Sequence, residues 1–422
     1  MARRSGRCSG SGFRFVLSNT PVIRRSILLL LVIAFAPVVP ASAQMRSSDA
    51  TSARWHLGPL ALDPRFALRN VGIDTNVFNE TETPTRDLTA SFGPEMDAWL
   101  RVGRVALTGT STVTWTYFRD SRSQRSFDGS QRARADLDLQ WLVPHVSGSI
   151  ERARQRPNLE IDARVRRDVS VVGGGVDVRL GPRLSIDLAH EITRVDFARG
   201  EAGGGLLADA LNRREAETTA TGRLVLTPLT TVVVKAAFRE DRFDQAVFRD
   251  SQSLAVMPGV EFKPLALISG TAVVGVRRLR PEAGEVGAFR GVVADVALNY
   301  QLRDLMRVSV VARRDVEYSF EAGQPYYLSN GLRLSLTQAL GAGWDVVARG
   351  GRTTLDYRAS IGGTGVAGNR VDQLWAYGLG IGRRLGDAVR IGVDVEQVTR
   401  ESTAAGRGYD GLRGGGSLTY GF

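Results

Sequence analysis

The side chains with chemistry to offer are three histidines, one cysteine and a dense mixture of arginines and carboxylates. Histidine catalysis needs a nucleophile or an orienting acid within hydrogen-bond reach. His56 falls in a leading segment and His145 at a short turn, so they share no site. His190 sits on the apolar phase of an alternating stretch, where a lipid hydrolase would place it, but no serine motif accompanies it. Glu240, Asp241, Asp315, Glu317 and Asp356 could serve a paired-carboxylate protease, yet no spacing singles out a pair. They read as solvated rim charge. Asp74, Glu80 and Glu82 match no calcium loop. Gly173-Gly174-Gly175 and Gly414-Gly415-Gly416 lack the lysine and helix that a phosphate loop needs. Neither enzyme, metal nor cofactor is expected.

The elements that carry the remaining charges alternate with period 2, the signature of a strand with two unlike faces. In Ala388–Val398, Val389, Ile391, Val393 and Val395 interleave with Arg390, Gly392, Asp394 and Glu396. Arg132, Arg134, Asp136 and Asp138 alternate with Ala133, Ala135, Leu137 and Leu139. The same phase collects Asp187, Glu191, Lys235, Arg239, Glu261, Arg277, Asp295, Arg307, Arg313, Arg333 and Arg349. A desolvated core would not hold so many ions, because each costs several kcal/mol when buried unpaired. They predict a water-filled lumen or dense cross-strand pairing. The stretches run ten to fourteen residues, long enough for a tilted transmembrane strand at about 9–11.

The N-terminus places the chain outside the cytoplasm. Arg24 and Arg25 precede an apolar run from Ile27 to Val39, and Ala41-Ser42-Ala43 supplies a small-residue cleavage site. Residues 1–43 are therefore expected to be a cleaved signal peptide, with residues 44–64 a periplasmic lead and 65–422 the folded body. Cys8 leaves with the signal, which removes thiol chemistry and disulfides together. The signal also carries six arginines and no acid, so the whole-chain net charge of +11 falls to +5. Lys235 and Lys263 are the remaining lysines, and nucleic acid is not an expected partner.

Connections between the stretches fall into two classes that alternate, eight short and nine long. The short ones, such as Val102-Gly103, Leu142-Val143-Pro144, Thr227-Pro228-Leu229 and Gly386-Asp387, are built from turn formers. The long ones, such as Asp74–Arg86 and Ala198–Arg213, are polar and irregular. Tight turns on one side and long loops on the other are the asymmetry of an outer-membrane barrel. The expected fold is all-β: a single transmembrane antiparallel up-and-down barrel of about eighteen strands, or sixteen if one hairpin is misread. Aromatic residues near strand ends, including Trp115, Trp141, Trp344, Trp375, Tyr377 and Tyr420, suit the two interfaces.

Leu418, Tyr420 and Phe422 alternate to a terminal aromatic, the pattern read by the barrel-assembly machinery. With Gly72-Ile73-Asp74-Thr75-Asn76-Val77-Phe78 and Pro258-Gly259-Val260-Glu261-Phe262-Lys263-Pro264, the chain resembles porin-like outer-membrane β-barrel proteins of Gram-negative bacteria. The resemblance implies a channel for passive diffusion of small hydrophilic solutes, and some such barrels are associated with exopolysaccharide export. A plugged surface-binding or adhesion barrel is the alternative, with Ala198–Arg213 and its Leu206, Leu207 and Leu211 the loop expected to fold inwards. Outer-membrane lipid, lipopolysaccharide and the assembly machinery are the expected partners; self-association is left open.

Overall fold

The computed structural model describes residue 50 and residues 53–199, 204–263, 267–303, 305–321, 323–358 and 370–421. Ala41, Ala43 and Phe422 lie outside the described residues. Alternation becomes strand along the whole described body. In chain order these are β1 Trp55–Leu57, β2 Leu60–Asp74, β3 Asp87–Val102, β4 Val105–Phe118, β5 Ser126–Leu137, β6 Leu142–Gln155 and β7 Val165–Arg179. Then follow β8 Leu184–Phe197, β9 Arg213–Thr227, β10 Thr230–Phe243, β11 Ser251–Phe262, β12 Ile268–Pro281 and β13 Phe289–Leu302. The last are β14 Met306–Tyr318, β15 Tyr326–Gly341, β16 Trp344–Arg358, β17 Val371–Leu385, β18 Val389–Ser402 and β19 Tyr409–Gly421.

Each strand from β2 to β19 pairs antiparallel with its sequence neighbours, and β19 pairs back onto β2, closing a ring of eighteen. Closure leaves no strand edge, which a chain in hydrocarbon cannot tolerate. The small β1 lies outside the ring and folds back on β2, with Trp55 opposite Leu62. The ring begins at Leu60, so residues 60–64 are wall rather than lead; Pro64 interrupts the alternation that would have revealed them.

Short turns and long loops alternate as the sequence requires. One turn is displaced. The β5–β6 reversal uses residues 138–141, not Leu142-Val143-Pro144, because Asp138 accepts the Gln140 N–H at 3.1 Å and holds Gln140 at a φ of 72°. His145 is consequently a residue of β6 and not of a turn.

The two faces differ as lipid and water would demand. Leu379 on β17 and Val393 on β18 are 66% and 58% exposed, with like-phased aliphatics on the neighbouring strands. The opposite phase carries most of the ion pairs described below. Aromatics on the exposed face gather at two levels. Trp141 lies in a short turn and Trp344 beside one, whereas Trp115, Phe127, Trp375 and Tyr377 lie towards the long loops. These two belts mark the interfaces.

The wall is not uniform at its outer end. β13 pairs with β14 only from Ala294↔Arg314 inward, leaving 289–293 without β14 as partner. Beyond that seam, Tyr326 and Leu328 of β15 pack on Leu279 and Phe289, which belong to the lumen phase of β12 and β13. The β14–β15 hairpin therefore leans into the barrel, and the Tyr318 hydroxyl reaches Asp241 of β10 at 2.7 Å.

Candidate channel and its constriction

Cross-strand register fixes which charged residues share the lumen face. Arg134 pairs with Asp136 at 2.7 Å. Lys235 approaches Glu217 at 3.9 Å, and Arg239 holds both Asp241 at 2.7 Å and Glu215 at 3.1 Å. Glu261 meets Arg223 at 3.4 Å, Asp394 meets Arg349 at 3.3 Å, and Arg390 donates to Asp345 at 2.9 Å. Arg277 contacts Asp315 at 2.9 Å and Arg307 donates to Gln301 at 3.3 Å. Asp187 lies 3.8 Å from the His145 ring. Asp138 lies in the β5–β6 turn, where it holds Arg179 at 3.1 Å.

Arg132 and Glu191 lie on the same phase, as do Asp295, Arg313, Arg333 and Glu396. Arg333 stands opposite Gly351 and Arg313 opposite Gly331, so each guanidinium projects beside a bare position. The partners Glu215, Glu217, Asp345 and Arg223, and Glu151, which holds Arg167 at 2.8 Å, carry no sequence signal that sets them apart from other charges. The lumen phase of β4 is Thr108, Thr110, Thr112, Thr114 and Thr116, polar without the charge that marks the other strands.

Above this wall the outer loops converge. The β6–β7 connection, 156–164, reaches across the mouth. Its Glu160 is buried and accepts from the Ser319 hydroxyl at 2.6 Å and the Phe320 N–H at 3.2 Å, in the β14–β15 connection. Its Asp162 holds Arg400 of β18 at 3.0 Å and accepts from Asn79 at 3.2 Å. Round the ring β14 is seven strands from β7, and β18 is six from β6 in the other direction. Contacts to both cannot follow the wall. The segment crosses the lumen.

The far ends of this crossbar are themselves braced. Arg400 is buried and holds Asp372 at 2.6 Å, which Arg370 also contacts at 2.6 Å. Glu321 collects Arg407 at 2.7 Å and Arg370 at 3.3 Å. Arg249 of the β10–β11 connection donates to the Glu321 carbonyl at 2.9 Å and the Ala210 carbonyl at 2.7 Å. Burial lowers the Arg249 pKa to about 10 and raises that of Glu160 to about 7, against the opposing pull of its Ser319 and Phe320 hydrogen bonds.

An apolar layer completes the closure. The β8–β9 connection contains a helix, Gly204–Leu211, whose Leu207, Ala208 and Leu211 pack on Val165, Val195 and Phe197 of the wall and on Ile161 of the crossbar. Phe320 and Tyr318 pack against the same group from the other side. Leu207 and Leu211 turn inward as expected, whereas Leu206 is exposed. On the other flank, a polar cavity of about 430 Å³ remains. Asn70, Asp74, Thr116, Phe118, Asp128, Arg164, Glu396 and Arg413 are among its lining residues.

The barrel, its charged inner face and its aliphatic outer face agree with what the sequence matches. A family model described as "Putative beta-barrel porin 2" matches residues 56–420. The chain belongs to this porin family. It is a porin-like outer-membrane channel for small solutes. No curated protein matches it.

Solved barrels resemble it in outline. Pseudomonas aeruginosa OpdK with vanillate is 12% identical, with 86% of this chain and 98% of that one covered and a TM-score of 0.46. For the BenF-like porin of Pseudomonas fluorescens Pf-5 the values are 10%, 86%, 98% and 0.47. For Pseudomonas aeruginosa OccK2 (OpdF) in complex with glucuronate they are 13%, 86%, 98% and 0.48.

His190 completes the inventory. It is exposed on the lipid face, and its Nδ1 lies 2.9 Å from the Thr218 hydroxyl. A threonine partner neither activates nor orients it as a carboxylate would.

Proposed function

We propose that this chain is a constricted diffusion channel, exported by a signal peptide cleaved after Ala43, and that it catalyses no reaction. Small hydrophilic solutes pass from the outside beside the crossbar, through the cavity flanked by Asn70, Asp74, Thr116, Asp128 and Glu396, and down the threonine wall of β4. The observation that carries this reading is the crossbar itself, Glu160 bound on one side of the mouth and Asp162 on the other. It narrows a barrel that at eighteen strands would otherwise be a wide aqueous pore. Arg132, Arg134, Asp136, Asp187, Lys235, Arg239, Glu261, Asp295, Arg307, Arg313, Arg333, Arg390, Asp394 and Glu396 line the path in this proposal. Most face an opposite charge, which supports weak discrimination between cations and anions. Leu418, Tyr420 and Phe422 act as the assembly signal.

Proteoliposome swelling with a graded series of neutral sugars tests it. Monosaccharides should enter and trisaccharides should enter far more slowly. Equal rates across the series would reject a constriction, and no entry of any sugar would favour a plugged surface-binding barrel instead. Mass spectrometry of the exported protein should find Gln44 at its N-terminus.

A further inference from the structure

The lipid face holds an arrangement that the channel does not use. Val276 of β12 stands directly opposite Val292 of β13, and both are about half exposed, at 48% and 50%. Two residues further towards the long loops, the same register sets Arg278 directly opposite Arg290, both exposed. Arg280 follows on the same face. Like charges facing each other across a pair of strands are destabilising. No carboxylate lies within 4.0 Å of any of these three guanidiniums among the described residues. The nearby Glu282 is already engaged by Arg242 and by Gln252.

Several other arginines on the exposed face of the outer rim have an acidic partner. Arg152 pairs with Asp168 at 2.9 Å, Arg194 with Asp196 at 2.9 Å and Arg358 with Asp356 at 2.5 Å. The β12–β13 group lacks such a partner and sits one side-chain row above the aliphatic belt, about 7 Å along the strand. That is headgroup depth. A fourth cation, Arg314, lies across the seam, where its Nε donates to the Val292 carbonyl at 3.0 Å.

We infer that Arg278, Arg280 and Arg290 form a binding site for the phosphate of an outer-leaflet glycolipid, whose acyl chains lie along Val274, Val276, Val292 and Val256. Guanidinium forks match phosphate oxygens in bidentate fashion, and a dianion between Arg278 and Arg290 turns their repulsion into attraction. The site faces lipid, with apolar wall directly beneath it. A phosphate carried on acyl chains therefore fits it better than one arriving free in water.

Native mass spectrometry of the folded barrel in neutral detergent, titrated with bisphosphorylated lipid A, tests the assignment. Lipid A should bind at least about tenfold more tightly than its dephosphorylated form, and the Arg278→Gln/Arg290→Gln double variant should lose most of that difference. Unchanged lipid binding in the double variant would overturn the site. Competition by millimolar inorganic phosphate would also overturn it, since that would make it a simple anion site. If the double variant does not fold, Arg290→Gln alone decides through stability. Relief of repulsion should raise its unfolding midpoint in neutral detergent, and loss of the lipid should lower it with lipid A present. The same sign in both media would contradict the proposal.

Discussion

Glu160 is the residue through which pH acts on the narrowed mouth. Its ordinary carboxyl pKa of 4.5 is raised to about 7, first by burial, with Ser319 and Phe320 pulling the other way. Arg370, Arg249, Tyr357 and Tyr327 are the charged and titratable groups that act on it. Because the packed crossbar raises this pKa, the packed state binds the proton more tightly than a crossbar released into water. Its advantage is fully present below about pH 4.5 and is lost as pH rises through about 7, worth about 3 kcal/mol at most. Conductance should therefore increase between pH 5 and pH 8, and Glu160→Gln should flatten the profile at its low-pH level. A variant that keeps the wild-type profile would remove Glu160 from the account. Arg400→Gln removes the buried cation that Asp372 and Asp162 share, leaves Asp372 to Arg370, and should loosen the mouth by about 1–3 kcal/mol. Limited proteolysis within residues 156–164 would report it, and unchanged cleavage would speak against the bracing. None of this was legible in the sequence, where Glu160, Asp162 and Arg400 look like ordinary loop and rim charges. Their partners lie 159 and 238 residues away.

Strands were far more readable than loops, for a physical reason. A strand between lipid and water writes its two environments into alternate residues, so Val389–Glu396 discloses both its conformation and its orientation. The pattern failed where local chemistry intervened. Pro64 hid the first turn of β2, and the Asp138–Gln140 contact moved a reversal that Pro144 had suggested. Among the loops, Leu207 and Leu211 were the one visible hint, since apolar residues in an aqueous loop need a surface to cover them. Ile161 gave the same signal between two acids and was missed. Replacing Leu207 and Leu211 together by serine should release the helix from Val195 and Phe197 and raise conductance severalfold while the barrel still folds. Unaltered conductance would show that the helix does not constrict. Alternation itself can be tested with one substitution on each face of the wall. Val393→Arg, on the lipid face, should cost about 2–4 kcal/mol in urea unfolding from lipid. Thr112→Arg, on the water face of β4, should cost little stability but reduce current. Equal costs would contradict the assignment of faces.

At the scale of the molecule, eighteen strands enclose more space than a selective channel needs, and the chain fills the excess with its own loops. Helix and leaning hairpin fill one flank of the mouth, the crossbar spans it, and the threonine and mixed-charge flank is left for solute. The ring could be counted from turn and loop spacing, because connectivity is local in sequence. The filling could not, because it joins loops from opposite walls. Single-channel recording in planar bilayers tests the central claim most directly. Wild-type barrel is compared with a variant whose residues 157–163 are replaced by a short glycine-serine link. Wild type should open small channels, and the variant should open channels several times larger. Identical conductance in the two, or no channel in either, would contradict a pore narrowed by its β6–β7 crossbar.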